Sequence, residues 1–263
     1  MSEGNVVVSE AMRLSFPLLR VARIEFARPE RANSLRPSDL QSLLHHLASA
    51  EARADVHVLV VTGAGQTFSA GFDLDSLVER GRSGVAAEDI QADFEQLANR
   101  LEATRLVTLA ALNGPTLGGA TDIALACDLR IGSEHAAMAM PAARFGLPLY
   151  GSALRRYATR LGLAQAKWLV LTAATLDANA MLAAGFLSEV VPADSFEART
   201  SALAEQLAAM PGVALSAMKQ ALNAAAAGWD GATAQRMHRV LVDAIDGPAI
   251  AARVADAISQ RRS

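Results

Sequence analysis

The sequence predicts an α/β fold, and three observations carry that prediction. Apolar and polar residues alternate through LLRVARIEF at 18–26; VHVLVVTG and LVTLAALNG read as fully buried strands; and each of these two buried runs follows a helical pattern. Strand, helix, strand in that order implies parallel pairing with helices laid over the sheet. No fixed-period repeat suggests a solenoid. With 263 residues the chain can bury one large core, and with 52% hydrophobic but only 5% aromatic residues that core is built from many small side chains.

The elements follow in order. The strand at 18–26 leads into RPERANSL, a proline-led turn. Ser38-Asp39 can cap a helix through SLLHHLASAEA, where Leu43, Leu44 and Leu47 recur at helical spacing, and VHVLVVTG then ends at a glycine turn. A polar, glycine-containing stretch from about Glu79 to Glu88 interrupts the pattern and is the candidate for a mobile lid. DIQADFEQLANRLEATR reads as an amphipathic helix before the strand LVTLAALNG, GGATDIALACD as a short helix, and LRIGSE as a further strand. MAMPAARFGLPLYG is irregular and rich in proline and glycine, whereas from Ser152 the pattern is mostly helical to the end. These readings place a strand-rich core domain at 1–194 and a C-terminal helical region at 195–263.

Composition narrows the function. The 24 basic and 27 acidic residues give a net charge of −3 and are spread along the chain, so no basic block exists to neutralise a row of phosphates, and nucleic acid is not expected as a partner. No apolar run approaches the roughly 20 residues of a membrane helix, and MSEGNVVVSE is not a basic segment followed by an apolar one, so a cytoplasmic location without membrane contact is expected. The single Cys127 cannot form an intrachain disulfide and, among Ala124, Leu125 and Ala126, reads as a small core residue.

Two glycine-containing segments, GAGQTFSAGFDL at 63–74 and NGPTLGGATD at 113–122, each follow a buried strand. Glycine turns at strand ends let backbone N–H groups approach a ligand, and a helix starting at Gly118-Gly119 adds its positive dipole end. One N–H from each segment could hold a single developing oxyanion; alternatively, the glycines merely make tight turns. Other patterns carry less. GAGQTF lacks the third glycine of a dinucleotide site, and Ser216 to Lys219 matches an SxxK spacing inside a helical pattern without companion motifs. His45 and His46 are adjacent and so diverge on a helix, while His57, His135 and His238 have no ligand partners at suitable spacing, so no metal site is expected.

Taken together, RPERANSL, VLVVTGAGQTFSAGFDL, LAALNGPTLGGATDIALACDLRIG and LTAATLDANAMLAAGFLSEVVP resemble the crotonase superfamily, the enoyl-CoA hydratase/isomerase family. The resemblance implies a spiral of ββα units with a C-terminal helical trimerisation region, an acyl-CoA substrate, a homotrimer or dimer of trimers, and no tightly bound cofactor, coenzyme A being part of the substrate. It places the oxyanion hole on the backbone N–H groups of Phe72 and Gly119. Ala70, Asp73, Leu74, Leu117 and Gly118 match the strip along the coenzyme, and Arg31 and Ala32 match the approach to its phosphates, although Arg31 also reads as a solvated loop residue.

At the acid/base positions the sequence departs from the hydratase pattern of two glutamates. The first falls on Asp122, three residues past Gly119 on the same helix face. The second falls on Ala142, beside Pro141, where alanine cannot move a proton. Substitutes within reach are Tyr150, read first as a wall residue because a phenol near pKa 10 is a poor base, and Arg144, read as an ion-pair partner for Asp122 or for a carboxylated acyl group. Three readings result: a hydratase or isomerase in the broad sense with Asp122 as acid/base, a malonyl-type decarboxylase or other enolate enzyme, and an acyl-CoA binding protein without chemistry.

Overall fold

The computed structural model describes residues 7–9, 11–73, 75, 76 and 87–228, with side chains from 11–73, 75, 76 and 92–228. The stretch expected to form a lid lies, up to residue 86, outside the described residues, as do Leu74 and the helical segments expected beyond residue 228.

Strands β1 (Val7–Ser9), β2 (Met12–Leu18) and β3 (Val21–Phe26) form an antiparallel meander. The strand expected over 18–26 therefore starts only at Val21, because Leu19 and Arg20 make the hairpin turn and Arg20 takes a left-handed φ of 64°. Helix α1 (Pro37–Ala52) starts one residue before Ser38, at a proline suited to the first helical position. Its cap is made by Asp39, whose carboxylate accepts the Arg36 N–H at 2.8 Å, rather than by Ser38.

From β3 onward the chain winds through parallel strands. β4 (Val58–Gly63) pairs with β3, β5 (Val107–Leu112) with β4, β7 (Leu129–Ser133) with β5, and β10 (Glu189–Val191) with β7. Between β4 and β5 runs α2 (Ala87–Ala103), and between β5 and β7 come the short β6 (Thr116–Leu117) and α3 (Gly119–Ala126). The sheet order β1-β2-β3-β4-β5-β7-β10 leaves β6 to pair in a second, small sheet with β8 (Ala137–Ala139) and β9 (Thr175–Asp177). The segment expected to be irregular thus begins as β8 and continues as a 3-10 turn over Pro141–Phe145. Helices α4 (Gly151–Leu161), α5 (Leu163–Thr172) and α6 (Ala178–Ala183) precede β10, and α7 (Phe196–Ala208) follows it.

The unbroken apolar runs of β4 and β5 are explained by cover on both faces. Ala22, Ile24, Phe26, Leu59, Val61, Ala110 and Leu112 share one cluster with α1, α2 and α3. The alternate set, Val58, Val60, Leu109 and Ile131, is buried on the opposite face, where α7 packs along β3, β4, β5 and β7. By contacts the chain divides into two compact units, residues 1–210, which include α7, and residues 211–263, in which α8 (Gly212–Ala227) is described. Among the described residues no helix is long and apolar enough to cross a membrane.

Candidate active site

The two glycine segments meet where β4 and β5 end. Leu35 and Phe72 form a parallel bridge, with Leu35 N donating to Gly71 O at 2.7 Å and Asp73 N donating to Leu35 O at 2.9 Å. Successive peptide groups of an extended segment point to opposite sides, so the N–H of Phe72 itself faces away from Leu35. Gly119 opens α3, where the first N–H groups have no acceptor within the helix. Among the described residues neither amide has a protein partner. Gly71 brings the segments together: a Cβ there would lie 2.4 Å from Leu117 O and 3.0 Å from Gly119 N, and its φ of +78° is left-handed. Gly118, at +54°, turns the chain into α3.

Side chains fix this backbone. Asn33 accepts the Arg28 N–H at 3.0 Å and donates to Ala64 O at 2.9 Å and Thr67 O at 2.7 Å, tying the RPERAN loop to the segment after β4. Ser69 donates to Asn33 O at 2.7 Å and accepts from Gly71 N at 3.1 Å. Phe94 of α2 stands over Gly119, where a Cβ would come within 2.5 Å of its ring, and meets Phe72 edge-on with centroids 6.1 Å apart.

The two amides open onto a cavity of about 490 Å³. One part of its lining is polar, with Arg31, Ser34, Asp73 and Asp75; another is apolar, with Phe94, Met140, Phe145, Leu147, Leu149 and Ala153. Asp122, on α3, and Tyr150, at the cap of α4, also line it. Asp122 is almost wholly buried. Arg156 of α4 grips it with two bonds, Nε to Oδ1 at 2.8 Å and Nη2 to Oδ2 at 2.7 Å, while the Tyr150 hydroxyl donates to Oδ2. Arg156 is fully buried and is also held by Asn99 Oδ1 at 2.9 Å and Glu102 Oε2 at 3.2 Å, both on α2.

Electrostatics follow from this packing. Burial, then the neighbouring Asp122 carboxylate, raise Tyr150 well above the ordinary phenol value. Burial alone would lower Arg156, but Asp122 and Glu102 hold it above its usual value. Burial would likewise raise Glu102, yet Arg155, Arg156 and Arg160 keep it below the ordinary carboxylate value.

Comparison with known proteins identifies the family. Residues 19–246 match the family model for enoyl-CoA hydratase/isomerase. The chain belongs to that family. A 2,3-dehydroadipyl-CoA hydratase of Escherichia coli is 30% identical over 203 residues, covering 77% of this chain and 78% of the relative. A 4-chlorobenzoyl coenzyme A dehalogenase of an Arthrobacter species is 33% identical over 198 residues, covering 73% and 70%. The crystal structure of an enoyl-CoA hydratase from Bacillus anthracis superposes with a TM-score of 0.82 at 26% identity, covering 91% of this chain and 92% of that one. The α/β architecture is accordingly the crotonase fold.

Set against the family pattern, most of the expected residues converge. Phe72, Gly119 and Asp122 line the cavity together with Arg31, Ala70, Asp73, Leu117, Gly118, Pro141, Ala142 and Tyr150. Asp73 turns its carboxylate to Ser34 and Ser76, so it is used locally. Ala32 is not in the lining; its carbonyl accepts the Ala70 N–H at 2.8 Å and steadies the strip from behind. Arg144 is a correction: it points away from Asp122 and donates to Ala173 O at 2.9 Å, because the 3-10 turn carries it out of the cavity wall. The partner of Asp122 is Arg156, which sequence reasoning missed. The usable signal was helical spacing, since Arg156 falls three residues from Ala153 and one from Tyr157 on the buried face of α4.

Proposed function

We propose that the protein binds an acyl-CoA thioester with its carbonyl oxygen on the Phe72 and Gly119 amides and stabilises the thioester enolate that forms there. The observation that supports this reading is the pair of N–H groups, without a partner among the described residues, that two segments bring together at Gly71 on the wall of a largely apolar cavity. Arg31, 60% exposed at its side chain, and the Ala70 to Asp73 strip supply the polar end for the coenzyme. Calorimetry with free coenzyme A and with an unreactive thioester analogue tests the reading. Tighter binding of the thioester is expected, and equal affinity would overturn it.

Within this chemistry the acid/base groups favour reactions whose enolate arises without a carboxylate base. Ala142 has no proton to move, and both oxygens of Asp122 are occupied by Arg156 and Tyr150. Loss of carbon dioxide from a malonyl-type thioester meets that requirement, since the departing carboxylate leaves its electron pair on the adjacent carbon. Ordinary hydration does not meet it. A turnover panel containing crotonyl-CoA and malonyl-type thioesters separates the two readings: slow hydration with faster decarboxylation is expected, and the reverse order would return Asp122 to the role of acid/base. The protein is further proposed to act as a trimer or dimer of trimers, which would cover Leu163, Trp168 and Leu171, exposed on α5.

A further inference from the structure

We propose that Tyr150 is the proton donor of this site and that Arg156 is a positioning residue that aims it through Asp122. The proposal rests on the enolate reading above. A carboxylate that receives Arg156 Nε at 2.8 Å, Arg156 Nη2 at 2.7 Å and the Tyr150 hydroxyl has three of its about four in-plane acceptor positions taken. Both of its oxygens already serve as acceptors, which leaves little room for a substrate proton beside the donors that hold them. The guanidinium is in turn unable to swing away, because Nη1 is fixed by Asn99 at 2.9 Å and Glu102 at 3.2 Å. Asp122 and Tyr150 both line the cavity, and of the two it is Tyr150 that carries a proton to donate.

The charged groups around the phenol and the guanidinium behind it come from three helices. They are Glu102 and, through Ser152, Glu95 on α2; Asp122 on α3; and Arg155, Arg156 and Arg160 on α4. Burial and Asp122 favour the protonated phenol, so the phenolate is scarce at neutral pH and Tyr150 serves as an acid rather than a base. In the step, the Tyr150 hydroxyl turns from Asp122 Oδ2 to the enolate, its O–H bond breaks, the enolate electron pair takes the proton to form the Cα–H bond, and the thioester carbonyl re-forms. The phenolate left beside Arg156 recovers a proton from water as product leaves.

Tyrosine absorbance tests the arrangement without any assumption about substrate, because Tyr150 and Tyr157 are the chain's two tyrosines. Tyr157→Phe leaves Thr121 donating to Gly118 O at 2.6 Å and makes Tyr150 the sole reporter. In that background the phenolate signal is expected at least one pH unit above the ordinary midpoint near 10. Adding Asp122→Asn should lower the midpoint by more than one unit, since the phenolate then faces Arg156 without a competing carboxylate. An ordinary midpoint, or one indifferent to Asp122→Asn, would overturn the proposal.

On the acyl-CoA that the panel shows to be converted, Tyr150→Phe and Arg156→Met are each expected to lower kcat at least about a hundredfold. The affinity for free coenzyme A should stay unchanged, and Arg156→Lys should restore part of the rate. A folded Tyr150→Phe or Arg156→Met protein with parental kcat would refute the assignment. Thioester preference together with an ordinary, unresponsive Tyr150 sinks this proposal alone. Loss of thioester preference with a displaced Tyr150 sinks the enolate reading and with it the proton-donor role, leaving only the Arg156–Asp122–Tyr150 arrangement.

Discussion

Substituting Gly71 by alanine strikes the point where the Phe72 segment crosses the backbone of Leu117 and Gly119. Two costs can be read from the structure. The φ of +78° is left-handed, which penalises an L-residue by about 1–2 kcal/mol. The added Cβ would sit 2.4 Å from Leu117 O, against the 3.4 Å at which ordinary contact begins, so the Leu117–Gly119 backbone must retreat by about 1 Å. A misplacement of roughly that size costs on the order of 10²-fold in rate, and complete loss of one oxyanion donor about 10²–10³-fold. The expected result is therefore a fall in kcat of roughly 10²–10³-fold with a much smaller change in KM, because the donors act on charge that develops after binding. Gly185→Ala is the control: its φ of +73° carries the same backbone penalty, but its nearest neighbour, Arg160 O, is 3.8 Å away. Steady-state kinetics on the converted acyl-CoA, with free coenzyme A affinity as a check on the rest of the site, decides the matter. A folded Gly71→Ala protein that turns over within threefold of wild type refutes the oxyanion hole.

Ala142→Glu restores a carboxylate to the cavity wall and should raise crotonyl-CoA hydration at least about tenfold, measured by loss of the enoyl absorbance; the double change with Asp122→Glu controls for the shorter side chain. Wild type hydrating as fast as that variant would show that Ala142 is not a lost catalytic position. Glu102 is held below the ordinary carboxylate value by Arg155, Arg156 and Arg160, so its ionised form stabilises the fold above about pH 4.3 and that contribution disappears as the pH falls through the depressed value. Urea unfolding should accordingly show a steeper loss of stability below about pH 4.3 in wild type than in Glu102→Gln. Light scattering should give the mass of a trimer or hexamer, and a monomer at working concentration contradicts the proposed assembly.

The fold was legible in the sequence because its strands carry their own signal. β4 and β5 are unbroken apolar runs since helices cover both faces of the sheet, and Gly118 and Gly119 mark a turn into α3 that other residues would obstruct. Hairpin pairing was less visible: β2, MRLSFPL, alternates imperfectly, with a register shift between Ser15 and Leu18, and the turn residues Leu19 and Arg20 are not turn formers by composition. The short β10 escaped for a similar reason, since three residues are too few to display a period.

The site divides the same way. The proposed donor amides, Asp122 and Ala142 could be named in advance because the family resemblance carries over position by position along local motifs, and a helix fixes which residues share a face. The protonation chemistry does not. Asp122 meets Arg156 from 34 residues away, and Glu102 reaches the same guanidinium from 54. Arg144, closer in sequence, turns instead to Ala173 O. Which of several arginines meets the buried carboxylate depends on how α2, α3 and α4 pack, for a charge taken out of water must be paired and hydrogen-bonded, and one left unpaired is strongly destabilising. That packing exists only once the helices are assembled, and it is what turns Asp122 from an apparent base into the fixed acceptor behind Tyr150.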